Sequence, residues 1–183
     1  MALTTIPLPY GMRDCRVTPY TDASATTLGT AVDLPYGRTL TFSEAEDFEE
    51  LRGDDKVITT RGKGAQVDWE LEGGGISLEA LLVMTGGTVG TSGTTPNQIK
   101  TFQKKATDAR PWFKIEGQAI SDSGGDVHMI LYKCRTTGEV AGDFGDGQFF
   151  LTTAKGVAIA ATLSGKTDVL YEFIHNETAT AIP

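Results

Sequence analysis

The stretch RTLTFSEAEDFEELRGDDKVITT, Arg38 to Thr60, has two competing local readings, and the choice between them decides the fold. Ser43 with Glu46 makes a capping box, Ala45, Phe48 and Leu51 recur at helical spacing, and Gly53 supplies a stop. Those signals spell a helix. Against them, Leu40, Phe42 and Phe48 share one strand parity, Gly53-Asp54-Asp55 is a turn, and Lys56 to Thr60 is a β-rich run able to pair back. Propensity leaves Thr39 to Gly53 open between strand and helix. On either reading the tract is a surface: Glu44, Glu46, Asp47, Glu49, Glu50, Asp54 and Asp55 are opposed only by Arg52, and the return segment adds Asp68, Glu70 and Glu72.

Working outward, 183 residues make one ordinary domain, 1–183, able to bury roughly 70 % of its unfolded surface without staples. Abundant Thr, 22 Gly and 39 % hydrophobic residues suit strands joined by turns, so an all-β chain is expected. A net charge of -8 argues against a protein that grips phosphates, which needs a basic face to displace counterions. Cys15 and Cys134 stand far apart and outside any Cys-x-x-Cys spacing, which predicts neither a disulfide framework nor a thiolate metal site and fits a reducing compartment. Met1 to Pro9 has no basic start or apolar run, and no segment has the ~18 to 20 apolar residues of a membrane span. A soluble, unexported protein with no membrane contact is the expectation.

Along the chain, residues 1–30 read as an amino-terminal arm with a first strand, Met12 to Thr18, stopped by Pro19 and followed by a loosely anchored polar loop, Thr21 to Thr30. Leu-Pro-Tyr-Gly occurs at Leu8 and again at Leu34, predicting two similar turns. Gln66 to Leu71 alternates, with Val67, Trp69 and Leu71 on one face and an acidic face opposite. Ser77 caps a helix over Leu78 to Met84 with Leu78, Leu81 and Leu82 as its apolar stripe, ended by Gly86-Gly87. Gly86 to Gln98 reads as a long Gly/Thr loop, of the kind a compact domain keeps for a purpose. Trp112 to Ala119 and Val127 to Cys134 flank the strongest hairpin turn, across which Phe113 and Ile115 should meet Val127, Met129 and Leu131. Gln148 to Thr153 and Asp168 to His175 add strands. Seven or eight strands and one helix predict a β-sandwich.

Motifs with chemical overtones reduce to turns. Asp122-Ser123-Gly124-Gly125 resembles a serine-protease nucleophile turn, but Ser121 replaces its glycine and both histidines, His128 and His175, follow it in the chain. Gly165-Lys166-Thr167 ends like a phosphate loop, yet Ala160 holds the position of the first glycine and strand-like residues follow. Asp143 with Asp146, and Asp54 with Asp55, fall short of a calcium ligand count and favour bends instead. Asn176-Glu177-Thr178 reads as a strand end, and Trp69, Trp112 and the phenylalanines as core rather than a ligand box. No nucleophile, base and orienter assemble, so no enzyme activity, cofactor or metal is expected.

The order of elements resembles one family over nearly the whole chain: an arm, an acidic strand, Leu51-Arg52-Gly53-Asp54-Asp55, a return strand, then Ile76 to Gly87. Gly-Gly-Ile-Ser-Leu-Glu-Ala from Gly74 and Glu-Gly-Gln-Ala-Ile-Ser-Asp-Ser-Gly-Gly-Asp from Glu116 strengthen it. The chain resembles the major tail tube protein of long-tailed, non-contractile bacteriophages. The resemblance implies a mainly β, sandwich-like fold with one short flanking helix. It also implies hexameric rings sharing an inner β-barrel and stacked into a hollow tube within the virion tail, assembled in the host bacterial cytoplasm. Implied partners are further copies and the tape measure, tail tip and tail terminator proteins, with double-stranded DNA passing through unbound.

In that reading the carboxylates from Glu44 to Asp55 line the lumen and repel DNA. Arg52 and Lys56 at the turn, and Gly90, Thr91, Ser92, Gly93, Thr94 and Thr95 in the long loop, are candidate ring or stacking contacts. The alternative, from the residues alone, is a soluble monomeric β-sandwich binding module, adhesin-like, with ligand loops at Gly86 to Gln98 and Gly142 to Gly147.

Overall fold

Pairing, not propensity, decides the acidic tract. In the computed structural model, which describes residues 6–182, the tract is an extended strand. In chain order the elements are β1 (Pro9–Pro19), β2 (Val32–Asp33), β3 (Gly37–Gly53), β4 (Lys56–Gly74), α1 (Leu78–Thr85), β5 (Thr88–Ser92) and β6 (Ile99–Gln103). Then come β7 (Phe113–Ser121), β8 (Asp126–Arg135), β9 (Val140–Gly142), β10 (Leu151–Ile159) and β11 (Tyr171–Asn176). The helix signal at Ser43 and Glu46 loses because β4 offers β3 a partner along its whole length, from Gly37 opposite Gly73 to Gly53 opposite Lys56. The protein is mainly β with one short helix.

Nine strands form a single open sheet in the order β2-β1-β7-β8-β10-β4-β3, with β11 added to β8 and β9 to β10. The sheet forks at β8, whose residues 126–131 pair with β11 while 133–135 pair with β10. Past that fork the sheet doubles over. Trp69 on β4 and Phe113 on β7 are three strands apart, about 14 Å in a flat sheet, yet their rings stand 5.6 Å apart, edge to face. Layer one is therefore β2, β1, β7, β8 and β11; layer two is β9, β10, β4 and β3. Between them lie Cys15, Val17, Val67, Trp69, Leu71, Phe113, Ile115, Leu131 and Cys134, all buried. The sheet is thus one continuous, open sheet folded over its own core. Among the described residues the strands number eleven rather than seven or eight, because short β2, β5, β6 and β9 carry too few apolar residues to announce themselves.

Several local expectations change. The loop at 21–30 is tied down, not loose: the Asp22 carboxylate accepts from the amides of Thr26 and Thr27, Ala25 is fully buried, and Thr162 donates to the carbonyls of Ser24 and Ala25. Residues 1–5 of the expected arm lie outside the described residues. Residues 86–98 are not a free loop, since β5 pairs with β6 in a hairpin of its own; alternating Thr and Val outweigh the glycines. The two Leu-Pro-Tyr-Gly copies differ. In the first, Gly11 (φ 67) adjoins a bulge in β1, whereas in the second Tyr36 (φ 68) turns the chain into β3. The helix is capped by Ser77 as expected but buries Ala80, Val83 and Met84, leaving Leu78, Leu81 and Leu82 half-buried; an almost wholly apolar helix has no readable phase. Ile115 lies opposite Leu131 as expected, but Phe113 lies opposite Cys134. β10 begins at Leu151 and runs on to Ile159.

Cys15 and Cys134 are free and buried. Burial pushes the Cys15 thiol up to about 12 and raises Cys134 as well, so both stay protonated core residues at neutral pH. Layer one also buries a charge pair, Lys114 Nζ at 2.8 Å from the Glu116 carboxylate, which is 1 % exposed. Lys114→Met, which strands that carboxylate, is expected to lower unfolding free energy by about 3 kcal/mol in urea titrations. Adding Glu116→Gln to it is expected to recover part of the loss.

Candidate functional site

The surface that sets this chain apart is the outer half of the β3–β4 hairpin. Near its base the hairpin belongs to the body. Leu40 lies close over Gly117 of β7, where an added Cβ would stand 3.0 Å from Leu40 Cδ2. The Phe42 ring sits 5.6 Å from Tyr171 and 5.4 Å from Phe173, and the Tyr171 hydroxyl donates to Glu44 Oε2 at 2.8 Å. Beyond that point the body ends. β10 pairs with β4 only from Val67 to Gly74, so among the described residues 45–66 pair with nothing but each other. Both hairpin edges are open there, and Phe48 (64 %), Leu51 (58 %), Val57 (48 %) and Ile58 (63 %) are exposed. A two-stranded hairpin alone is marginal in water, and open edges with apolar side chains are templates for another chain.

Residues opposite one another across a ladder share a face, so the register sorts the carboxylates. One face continues from Leu40 and Phe42 through Glu44, Glu46, Phe48 and Glu50 to Arg52. The other carries Thr41, Ser43, Ala45, Asp47, Glu49 and Leu51, with Asp68, Glu70 and Glu72 opposite its base. Asp54 and Asp55 form the left-handed tip (φ 50 and 60) and Lys56 begins the return opposite Gly53. The carboxylates grouped as one lining by sequence are therefore divided between two faces and a turn. Arg52–Glu50 and Lys63–Glu49 are exposed pairs, each worth under about 1 kcal/mol. At the base, Arg38 pairs with Glu72 and Lys155 with Glu70.

The second candidate surface is the β5–β6 hairpin. Gly90, Thr91 and Ser92 lie opposite Thr101, Lys100 and Ile99, while Gly93, Thr94 and Thr95 make its tip; all six are exposed. Lys104 anchors it to the end of α1 by donating to the Thr85 carbonyl, and Lys100 pairs with Glu79.

The residues with catalytic overtones are engaged in holding chain segments. Ser121 accepts from the Leu8 amide and Ser123 donates to the Ile6 carbonyl, pinning residues 6–8 to the β7–β8 turn. His128 is buried, its Nε2 at 3.0 Å from both Asp126 Oδ2 and the Thr180 carbonyl. Sequence reasoning missed this cluster. Its members, Gln118, Asp126, His128, Asn176 and Thr180, come from three strands and the tail after β11, and no spacing links them. Among the described residues no three His, Cys, Asp or Glu side chains converge to hold a metal ion. No protein-family model matches this chain, and no curated protein sequence matches it.

Burial alone would raise the Asp126 pKa, but hydrogen bonds from Gln118, the Thr180 amide, Asn176 and His128 outweigh it and hold the group down to about 2. A lowered pKa stabilises the fold above the unfolded value of about 3.9, and that stability, about 2 kcal/mol, disappears as pH falls from there through about 2. Asp126→Asn is expected to flatten this limb of the stability curve and to speed amide exchange at Thr180, read by hydrogen–deuterium exchange.

Proposed function

We propose that the chain is the structural subunit of a hollow tube, the major tail tube protein of a long, non-contractile phage tail. Hexameric rings share an inner β-barrel and stack, and double-stranded DNA passes along the lumen. The observation that carries this reading is the projecting hairpin, which has two open edges and exposed Phe48, Leu51, Val57 and Ile58, and which no other strand covers among the described residues. Strand addition between copies satisfies such edges, and a heterologous contact repeated around an axis closes a ring. The β5–β6 hairpin is proposed for stacking, and the tape measure, tail tip and tail terminator proteins as partners at the ends.

The division of faces refines the electrostatic part. The Leu40–Phe42–Glu44 face is taken up by layer one, Glu44 by its bond from Tyr171. The opposite face, with Asp47, Glu49, Asp68, Glu70 and Glu72, is the one free to line a lumen. Duplex DNA carries a charge every ~1.7 Å, so an anionic wall keeps it off and lets it slide, within a screening length of about 8 Å.

One observation favours a second reading, a monomeric binding module: Tyr36 (81 %) and Phe149 (93 %) are exposed and line an apolar hollow with Gly75, Gln148 and Leu151. Glycan-array binding that Phe149→Ala abolishes, by a chain that never assembles, would establish it instead.

Electron microscopy of the concentrated protein is expected to show rings or tubes with six-fold averages. Leu51→Asp with Ile58→Asp is expected to abolish them while shifting monomer stability by no more than about 0.5 kcal/mol per site, as exposed positions do; unimpaired tubes would refute the hairpin's role. Asp68→Lys with Asp47→Lys is expected to leave tubes that retain duplex DNA on co-sedimentation at physiological salt, whereas wild-type tubes release it.

A further inference from the structure

The two lateral ends of layer two differ in charge. One is the acidic strand β3; at the other, beside the short β9, is the corner where β10 meets β8. At that corner Lys133 and Arg135 lie opposite Ile159 and Val157 of β10, with Cys134 and Ala158 between them pointing into the core. Val157 in turn lies opposite Asp68, which places both cations on the outward face that carries Asp68 and Glu70. Trp112 is their platform: the Arg135 guanidinium carbon is 3.8 Å and Lys133 Nζ 5.3 Å from its ring centroid. Arg110 joins them, its guanidinium donating to the carbonyls of Thr136 at 2.9 Å and Gly138 at 2.7 Å.

Among the described residues no carboxylate lies within 4.0 Å of these three cations, although the chain carries 24 acidic groups against 16 basic ones. All three side chains are half-buried, and Arg135 Nε has no hydrogen-bond partner. Half-buried cations held in place without counter-charge are poised for an anionic partner.

We infer that this cluster receives the acidic β3 strand of a second copy of the chain. The inference rests on the ring reading above. A ring closed by one repeated heterologous contact joins two different patches of neighbouring copies; the acidic β3 and the cationic β8–β10 corner are such a pair, and β3 of each copy would meet the corner of the next. Parity agrees with charge: Asp47 and Glu49 stand on the outward face of β3, the face on which Lys133 and Arg135 stand at the corner. Asp47 has no ion pair among the described residues, and the pairing of Glu49 with Lys63 is solvent-exposed and weak. Two consequences follow from like-charge repulsion. Contacts of β3 with β3, or of corner with corner, are opposed, which favours the head-to-tail contact a ring needs over two-fold dimers. The cations are also neutralised where, left open on the lumen face, they would hold DNA.

Charge reversal tests this. Wild-type protein should form rings; if it does not, the ring reading itself fails. Given rings, Lys133→Glu with Arg135→Glu, or Asp47→Lys with Glu49→Lys, should each raise the critical concentration for assembly about tenfold or more. Mixing the two variants should restore mixed assembly, because each supplies the face that the other's reversed end requires, and combining all four changes in one chain should return the critical concentration to near the wild-type value. The neutral pair Lys133→Gln with Arg135→Gln should fall between. Circular dichroism and thermal unfolding of the monomers confirm that each variant folds. Assembly should also shift Trp112 emission, since Trp69 is only 2 % exposed before assembly. Reversed variants that assemble as well as wild type, or a four-fold variant no better than its parents, would overturn the inference. So would duplex DNA that binds wild-type monomers and is lost with Lys133→Glu and Arg135→Glu while assembly stays intact, for it would make nucleic acid the occupant.

Discussion

β4 is longer than the strand that covers it. β10 ends at Ile159, one position past the pairing of Ala158 with Val67, while β4 and its partner β3 continue as a bare hairpin through residues 45–66. That mismatch in strand length governs the molecule. Backbone groups within the ladder pair with one another, those on its two outer edges have no strand partner among the described residues, and Phe48, Leu51, Val57 and Ile58 stay largely exposed there. A sheet edge of this length is either an aggregation hazard or an interface. Here it is decorated with carboxylates and interrupted by register shifts at Glu46/Phe48 and Leu51/Arg52, features that oppose indiscriminate pairing and favour a partner with matching charge.

The body explains how the hairpin can project without unravelling. Because the sheet forks at β8, one set of strands supplies both walls of the core, and Trp69 against Phe113 locks wall to wall. Each wall is held by burial of aliphatic and aromatic side chains at roughly 25 cal/mol per Å² of apolar surface removed from water. The base of the hairpin shares in this through Leu40, Phe42, Val67, Trp69 and Leu71. The outer half inherits its direction from that anchored base.

Electrostatics then separates the two faces and the two ends of layer two. At the base of the hairpin the inward face, from Leu40 to Glu44, is taken up by packing, and the outward face carries a row of acids. The ends of the layer carry opposite charge, β3 negative and the corner around Trp112 positive. In the proposed ring these two asymmetries have different tasks: the first concerns what passes along the axis, the second which copy meets which.

Much of this architecture was legible in the residues: the β class, the half-buried alternation of Val67, Trp69 and Leu71, the capped helix after Ser77, and the hairpin around Ser121 to Asp126. Each depends on local periodicity or turn chemistry, which a sequence carries explicitly. The acidic surface was legible as composition, but not its division into faces, because that needs the register set by which residues of β4 lie opposite β3. The strand state of Arg38 to Leu51 contradicts a local capping box and follows only from a partner strand. The Asp126 cluster and the cations around Trp112 gather residues from separate strands, so no spacing along the chain announces them. Local signals act within a few residues, whereas layers, faces and clusters form when the folded sheet brings distant strands within a few ångströms of one another, and that distance is decided by tertiary structure alone.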